Sequence, residues 1–102
     1  MTWHPAASAD LNGKTMLGIE IAGRDIALCK VGDAVFATGN ICTHQHAYMT
    51  DGYLEDGCIE CPLHQAVFDV KTGEVLDGPA REPLPVYPVK MAEGQVWVEL
   101  PD

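Results

Sequence analysis

Two short cysteine–histidine motifs constrain this chain more than any other feature: Cys42-Thr43-His44 and Cys61-Pro62-Leu63-His64. Each motif pairs one thiol with one imidazole, as C-x-H first and as C-x-x-H second, and residues 45–60 separate the two. Together they supply two sulfur and two nitrogen ligands. This donor set suits zinc, and it also suits a [2Fe–2S] cluster in which two histidines replace two of the four cysteines on one iron.

A zinc site is one interpretation of these residues. Cys58-x-x-Cys61 has the spacing of half a zinc ribbon, but the sequence holds no second C-x-x-C, and histidines follow Cys42 instead. Zinc held by the two cysteines and two histidines of the motifs is chemically sound, so a zinc-stabilised interaction module is kept as an alternative. Catalytic zinc is disfavoured because no carboxylate base is evident beside the ligands.

Charge and composition limit the partners that the protein can bind and the compartment in which it is expected. A net charge of −9 over 102 residues disfavours binding to nucleic acid or to an anionic membrane, and it favours a partner with a basic surface. The start of the chain lacks the pattern of a secretory signal, and no apolar run is long enough to span a bilayer. We therefore expect a cytoplasmic protein, in which the four cysteines serve as thiols or metal ligands.

The apolar pattern predicts strands on both sides of the motifs. Leu17, Ile19 and Ile21 alternate with less apolar neighbours, and so do Val96, Val98 and Leu100. Residues 25–31 are apolar on both faces, as in a central strand, and residues 34–38 and 86–91 are further candidates. Pro88 lacks an amide donor, so it is expected at a sheet edge or a bulge.

Residues 39–79 differ from the rest of the chain in composition and in the length of their predicted strands. Cysteine, histidine, glycine and aspartate are dense there, and the strand-like pieces shorten to 53–55, 58–60 and 67–70. We expect one all-β domain over residues 1–102, a small antiparallel sandwich or barrel. Its scaffold would be about 1–40 and 80–102, and a cluster-binding lobe of short hairpins would fill about 41–79, ordered in part by its metal.

The order and spacing of the two motifs resemble the Rieske signature. The similarity extends over nearly the whole chain, through Asp51-Gly52, Ile59-Glu60, Gln65, Phe68-Asp69, Thr72-Gly73 and Tyr87. The resemblance implies one Rieske [2Fe–2S] cluster, with Cys42 and Cys61 on one iron and His44 and His64 on the other. It also implies two ligand loops, about 42–47 and 61–66, and a third loop at Gly78-Pro79-Ala80 that covers the cluster.

Within the family, the chain is most similar to the ferredoxins of multicomponent aromatic-ring-hydroxylating dioxygenases. The resemblance implies a soluble monomer that takes single electrons from a flavin-containing, NAD(P)H-dependent reductase and delivers them to a terminal oxygenase. No catalytic residues are expected, because the four protein ligands leave no iron position open for substrate. The sequence shows no other set of residues typical of a catalytic site. The Rieske-like small subunit of nitrite reductase is the related alternative, although many such subunits lack the ligands.

Differences from the high-potential members of the family predict a low reduction potential. High-potential Rieske proteins of respiratory chains join their cluster loops by a disulfide, for which Ala47 and Leu63 stand here. They also carry serine and tyrosine hydroxyls where this chain has Ala66 and Phe68. Hydroxyl hydrogen bonds to sulfur stabilise the reduced cluster, so without them the potential is expected near about −150 mV, the lower end of the Rieske range.

Other polar residues near the motifs receive ordinary interpretations. His46 is expected to be an exposed side chain near the cluster rather than a third ligand or a proton carrier. Cys29 and Cys58 are expected to behave as small buried hydrophobic residues. The remaining carboxylates between the motifs are expected on a solvated face, with a docking surface as the alternative: Asp51, Glu55, Asp56 and Glu60.

Overall fold

A computed structural model describes residues 1–43, 47–63, 65–78 and 80–101. Within them the chain forms strands and two single 3₁₀ turns, Leu11–Gly13 and Met49–Asp51. The all-β prediction is confirmed. The strands are β1 (Thr2–Ser8), β2 (Met16–Ile21), β3 (Arg24–Val31), β4 (Ala34–Gly39), β5 (Tyr53–Glu55), β6 (Cys58–Glu60), β7 (Val67–Asp69), β8 (Val75–Asp77), β9 (Val86–Tyr87), β10 (Val89–Ala92) and β11 (Gln95–Leu100).

These strands make three antiparallel sheets. The first has the order β1-β11-β10, the second β2-β3-β4-β9 and the third β5-β6-β7-β8. The first two sheets combine strands from both ends of the chain, whereas the third contains only strands from residues 53–77. The short strands predicted at 53–55, 58–60 and 67–70 therefore form, together with β8, a sheet of their own.

Strand β3 separates two hydrophobic cores. Ile26, Ala27, Leu28 and Cys29 are all fully buried, and β3 lies between β2 and β4, as predicted for a strand that is apolar on both faces. Because side chains alternate across a strand, Ile26 and Leu28 enter one core and Ala27 and Cys29 the other. The core of Ile26 and Leu28 joins the first and second sheets, and the core of Ala27 and Cys29 also contains the cysteines of both motifs.

Pro88 divides the predicted strand 86–91 between two sheets. Val86–Tyr87 pairs with β4, and Val89–Ala92 pairs with β11, each at the edge of its sheet. The edge position was predicted, since proline cannot donate to a ladder. The change of sheet at Pro88 was not, because pairing partners are not encoded in the local pattern.

The pattern of the sequence missed strands β1 and β8. Strand β1 carries Pro5 and lacks clean alternation, yet it pairs along β11, with a register shift between Pro5 and Ala7. It lies at a sheet edge, where proline is tolerated.

Among the described residues, no helix has the length and apolar character needed to cross a membrane.

Candidate metal centre

The cysteines of the two motifs lie together inside one core. Cys42 is 4% exposed and Cys61 is fully buried, and both belong to the core that also holds Ala27 and Cys29. Cys42 follows β4 by a few residues, and Cys61 directly follows β6. The second sheet and the third sheet thus each deliver one thiol to the same place.

The two cysteines begin loops with the same closing hydrogen bond. The Cys42 amide donates to the Ala47 carbonyl at 2.9 Å, and the Cys61 amide donates to the Ala66 carbonyl at 2.8 Å. Each bond therefore joins a cysteine to the residue five positions later. This matches the two ligand loops expected at about 42–47 and 61–66.

The two sulfurs are close enough to interact directly. Burial, and after it a hydrogen bond with the Cys42 side chain, raise the pKa of the Cys61 thiol to about 11. The backbone amide of Leu63 donates to the Cys61 sulfur and opposes this rise. Two thiolates so close in a buried site would repel each other, and positively charged metal relieves that repulsion.

The first loop is also held against the segment that follows the third sheet. The Thr43 hydroxyl, between the two predicted ligands of the first motif, donates to the Glu82 carbonyl at 2.8 Å. Ala80 is buried in the same core as Cys42 and Cys61. This segment includes the predicted third loop.

Glycines allow the loops to approach each other closely. A Cβ on Gly78 would lie 2.7 Å from Ala66 Cα and 2.8 Å from the Gln65 carbonyl oxygen. A Cβ on Gly52 would collide with the Glu60 carbonyl. Because Gly78 has no side chain, the segment that follows the third sheet can pack against the second loop. Because Gly52 has none, the chain leaving the first loop can pack against β6.

Apolar groups surround the two thiols. Ala66, Phe68 and Met49 are fully buried in the same core, so the two positions at which hydroxyls were noted to be missing belong to the core of the cysteines. Ala47 is partly buried against this core, and Leu63 is 47% exposed. Neither can form a disulfide.

Several predicted residues lie outside the described part of the chain: His44, Gln45, His46, His64 and Pro79. The assignment of both histidine ligands and the interpretation of His46 consequently stay predictions. Among the described residues, no group of three or more histidines, cysteines and carboxylates converges as a metal site.

The remaining two cysteines were expected to be buried, and Cys29 is buried more completely than Cys58. Cys29 is fully buried, whereas Cys58 is partly exposed and its sulfur lies 3.8 Å from the Asp56 carbonyl oxygen. Cys58 is the first residue of β6 in the third sheet. Asp51, Glu55 and Asp56 are exposed, in agreement with a solvated face.

Sequence reasoning missed Asn40 and Thr50. Asn40 is 3% exposed, and its side chain exchanges two hydrogen bonds with Thr50 across the base of the first loop. A polar residue two positions before a predicted ligand cysteine, at the end of an apolar strand, was the available signal. Its partner, ten positions away, was not identifiable from spacing alone.

The described residues fit one end of a Rieske cluster. Two adjacent, buried sulfurs in matching loops suit an iron with two thiolate ligands, and the Leu63 amide offers a hydrogen bond to sulfur. When bound, a [2Fe–2S] cluster supplies reversible one-electron chemistry. Cys42 and Cys61 would hold one iron of the cluster, and the buried apolar residues around them would exclude water.

Comparisons with known proteins agree with this fit. The family model for the Rieske [2Fe–2S] domain matches residues 2–88. The anthranilate 1,2-dioxygenase ferredoxin subunit of Burkholderia cepacia is 41% identical over 96% of this chain and 92% of its own length. The ferredoxin component of the naphthalene 1,2-dioxygenase system of Pseudomonas putida is 44% identical over 92% of this chain and 90% of its own.

A solved structure is similar over nearly the same extent. A chain in the complex of reduced oxygenase and oxidised ferredoxin of carbazole 1,9a-dioxygenase is 36% identical and superposes with a TM-score of 0.87, covering 94% of this chain and 91% of that one. These likenesses favour the iron–sulfur interpretation over zinc. The chain therefore belongs to the Rieske [2Fe–2S] family and is a small Rieske ferredoxin, an electron carrier rather than an enzyme.

Proposed function

We propose that this ferredoxin carries single electrons from a flavin-containing, NAD(P)H-dependent reductase to the terminal oxygenase of an aromatic-ring-hydroxylating dioxygenase. In this proposal Cys42 and Cys61 bind one iron and His44 and His64 bind the other. The observation that supports it most is the pair of matched loops that bring two buried thiols together, in a chain whose relatives are ferredoxins of dioxygenase systems.

The ligand set explains why the protein carries electrons without turning over a substrate. Four protein side chains complete the coordination of the two irons, so no position stays open for a substrate. The buried, apolar surroundings of Cys42 and Cys61 keep the sulfur ligands away from water. Substrate chemistry then belongs to the oxygenase.

Docking is proposed at the end of the molecule that bears the two ligand loops. Electron tunnelling requires a short distance between metal centres, and Leu63 presents an exposed apolar side chain within the second loop, 47% accessible. Reductase and oxygenase would use this patch in turn, so the ferredoxin must dissociate between transfers. Its net charge of −9 would steer it toward basic partner surfaces, and added salt would slow association.

Stopped-flow oxidation of the reduced protein tests this proposal. Purified oxygenase of a naphthalene or anthranilate dioxygenase is the acceptor, and we expect rapid oxidation whose rate falls as ionic strength rises. The variant Leu63→Gln should slow the transfer and leave iron content unchanged. Met91→Gln is the matched control, since Met91 is similarly exposed, at 43%, but lies on β10 in the first sheet.

Two results would count against the proposal. Oxidation no faster with oxygenase than with buffer would contradict the assigned acceptor, and nitrite reductase would then be the next acceptor to test. Equal effects of Leu63→Gln and Met91→Gln would contradict docking at the ligand loops.

The proposal includes the organisation and setting of the chain. We propose a single domain, with a scaffold of about 1–40 and 80–102 and a cluster-binding lobe of about 41–79, that acts as a monomer in the cytoplasm. Cluster removal should then loosen the lobe more than the scaffold, and hydrogen exchange of the apoprotein tests this difference. Size-exclusion chromatography with light scattering tests the monomeric state.

A further inference from the structure

Asn40 closes the base of the first ligand loop with its side chain. Its Oδ1 accepts a 2.9 Å hydrogen bond from the Thr50 amide, and its Nδ2 donates a 3.1 Å hydrogen bond to the Thr50 hydroxyl. Asn40 is 3% exposed, so these bonds form largely out of water. A buried amide that lost its partner would be left unsatisfied, which makes this pairing specific.

The backbone of Asn40 fixes the same point to two other segments. Its amide donates to the Asp25 carbonyl at 2.9 Å, and its carbonyl accepts from the Met49 amide at 2.7 Å. The first bond joins it to β3, the central strand of the second sheet, and the second joins it to the chain returning from the loop. The side chain and the carbonyl of Asn40 therefore join the entry of the loop to its exit, and the Asn40 amide joins the entry to β3.

Gly18 on β2 makes room for this pair. A Cβ added at Gly18 would lie 2.8 Å from Asn40 Nδ2 and 2.8 Å from Thr50 Oγ1. The two hydrogen-bonding atoms are thus packed against the bare backbone of a neighbouring strand. An alanine at this position would push against the pair and remove none of its hydrogen-bonding groups.

We propose that Asn40 is a positioning residue for the cluster: through Thr50 it fixes the base of loop 41–48 and so sets the position of Cys42, two residues further along. This inference rests on the proposed ligation by Cys42. Without the pair, three contacts between described residues still close the loop base: the Ile41–Tyr48 bridge, the Met49–Asn40 bond and the Cys42–Ala47 bond. The Cys42 sulfur would then sample more positions relative to the Cys61 sulfur.

The test compares four variants of the cluster-loaded protein. Asn40→Ala removes both side-chain hydrogen bonds. Gly18→Ala leaves both side chains in place but adds a methyl group on β2 that pushes against them. Thr50→Ser keeps the hydroxyl and the amide, so it is the conservative variant. Glu20→Ala is the matched control for Gly18→Ala, because Glu20 is exposed on the same strand and makes no hydrogen bond with the pair.

The measurements are visible circular dichroism, the electron paramagnetic resonance line shape of the reduced protein, and the rate of iron loss to a chelator. We expect Asn40→Ala and Gly18→Ala to broaden the resonance and to lose iron roughly tenfold faster, the effect of one or two lost hydrogen bonds. Thr50→Ser and Glu20→Ala should match the parent protein. A merely structural role would lower the unfolding midpoint and leave the line shape of the folded protein unchanged.

The outcomes separate this inference from the proposed function. Unchanged line shape and iron loss in both Asn40→Ala and Gly18→Ala, while Cys42→Ser loses the cluster, would overturn the inference and leave the proposed ligation intact. Should Asn40→Ala fail to fold, Gly18→Ala decides alone. Retention of the parent spectrum by Cys42→Ser would overturn both.

Discussion

The hydroxyl of Thr43 donates a 2.8 Å hydrogen bond to the carbonyl of Glu82, across 39 positions of sequence. Thr43 is the residue between the cysteine and the histidine of the first motif, and Glu82 follows the segment that leaves the third sheet. The middle residue of C-x-H therefore has a structural role of its own: it joins the first loop to the segment that follows the third sheet.

Replacement of Thr43 by valine should loosen this contact. Thr43→Val keeps the shape and removes the donor, so we expect a loss of about 1 kcal/mol or less in the free energy of unfolding, because the bond is partly exposed to solvent. Iron loss to a chelator should also accelerate. Urea denaturation measures the first effect. Thr43→Ser keeps the hydroxyl and should behave as the parent. A loss in Thr43→Ser without a loss in Thr43→Val would show that the methyl group, and not the hydrogen bond, stabilises the contact.

Gly78 should tolerate no side chain. Its φ of +90° is costly for alanine, and a Cβ would also meet Ala66 Cα at 2.7 Å. Gly57 is the matched control, because its φ of +76° carries the same conformational cost but nothing lies within 4 Å of its Cβ. We expect Gly57→Ala to cost about 1 kcal/mol, and Gly78→Ala to cost distinctly more.

The comparison of the two glycine variants is made by thermal unfolding of the loaded protein. Only Gly78→Ala should also lower cluster occupancy, since it displaces the second loop. Similar midpoints and similar iron content in the two variants would contradict the close packing of Gly78 on Ala66.

The sequence predicted the strands with clean periodicity and the position of the thiols, for physical reasons. Residues 16–21 and 95–100 alternate, and residues 25–31 are apolar throughout, so each pattern specified how its strand is buried. Cys42 and Cys61 were predicted to converge from their motifs alone. These features depend on local pattern or on the chemistry of a ligand set.

Long-range partners could not be predicted in the same way. Nothing local shows that Pro88 separates strands of two sheets, or that Thr50 completes the hydrogen bonds of Asn40. Strand β1 was missed because Pro5 interrupts its pattern, and only its pairing with β11 reveals it. Tertiary contacts decide these features, and a single sequence does not display them.

Hydroxyls introduced beside the thiols should raise the reduction potential. Ala66 and Phe68 are fully buried in the core that holds both cysteines, so Ala66→Ser and Phe68→Tyr place a donor near sulfur. A donor stabilises the more negative, reduced cluster. Protein-film voltammetry should show a rise in each variant and a larger one in the double variant. An unchanged potential, in a variant whose structure contains the new bonds, would contradict this account.

The two cysteines outside the motifs should differ in reactivity. Burial raises the pKa of Cys29 to about 12 from an ordinary value of 9.0, so its reactive thiolate is scarce at neutral pH, whereas Cys58 is partly exposed. Iodoacetamide should label Cys58 in the native, loaded protein and Cys29 only after unfolding, as mass spectrometry would show. Labelling of native Cys58→Ser at Cys29 would contradict the burial.

The raised pKa of Cys29 also predicts how stability depends on pH. The unfolded thiol ionises near pH 9 and the folded thiol near 12, so stability is fully present below pH 9 and decreases as the pH rises toward 12. The variant Cys29→Ala should reduce this alkaline decrease. Urea midpoints measured at pH 8 and pH 10 test it, and identical decreases in parent and variant would contradict the assignment.

The central claim is that Cys42, His44, Cys61 and His64 bind one [2Fe–2S] cluster. The most direct measurement is the electron paramagnetic resonance spectrum of the reduced protein, with iron and acid-labile sulfide determined on the same sample. Mixed cysteine and histidine ligation predicts a lower average g value than an all-cysteine cluster gives, with two irons and two sulfides per chain. The variants Cys42→Ser and His64→Ala should lose this signal, and Cys58→Ser should keep it. An all-cysteine spectrum, or stoichiometric zinc in protein prepared anaerobically, would contradict the claim.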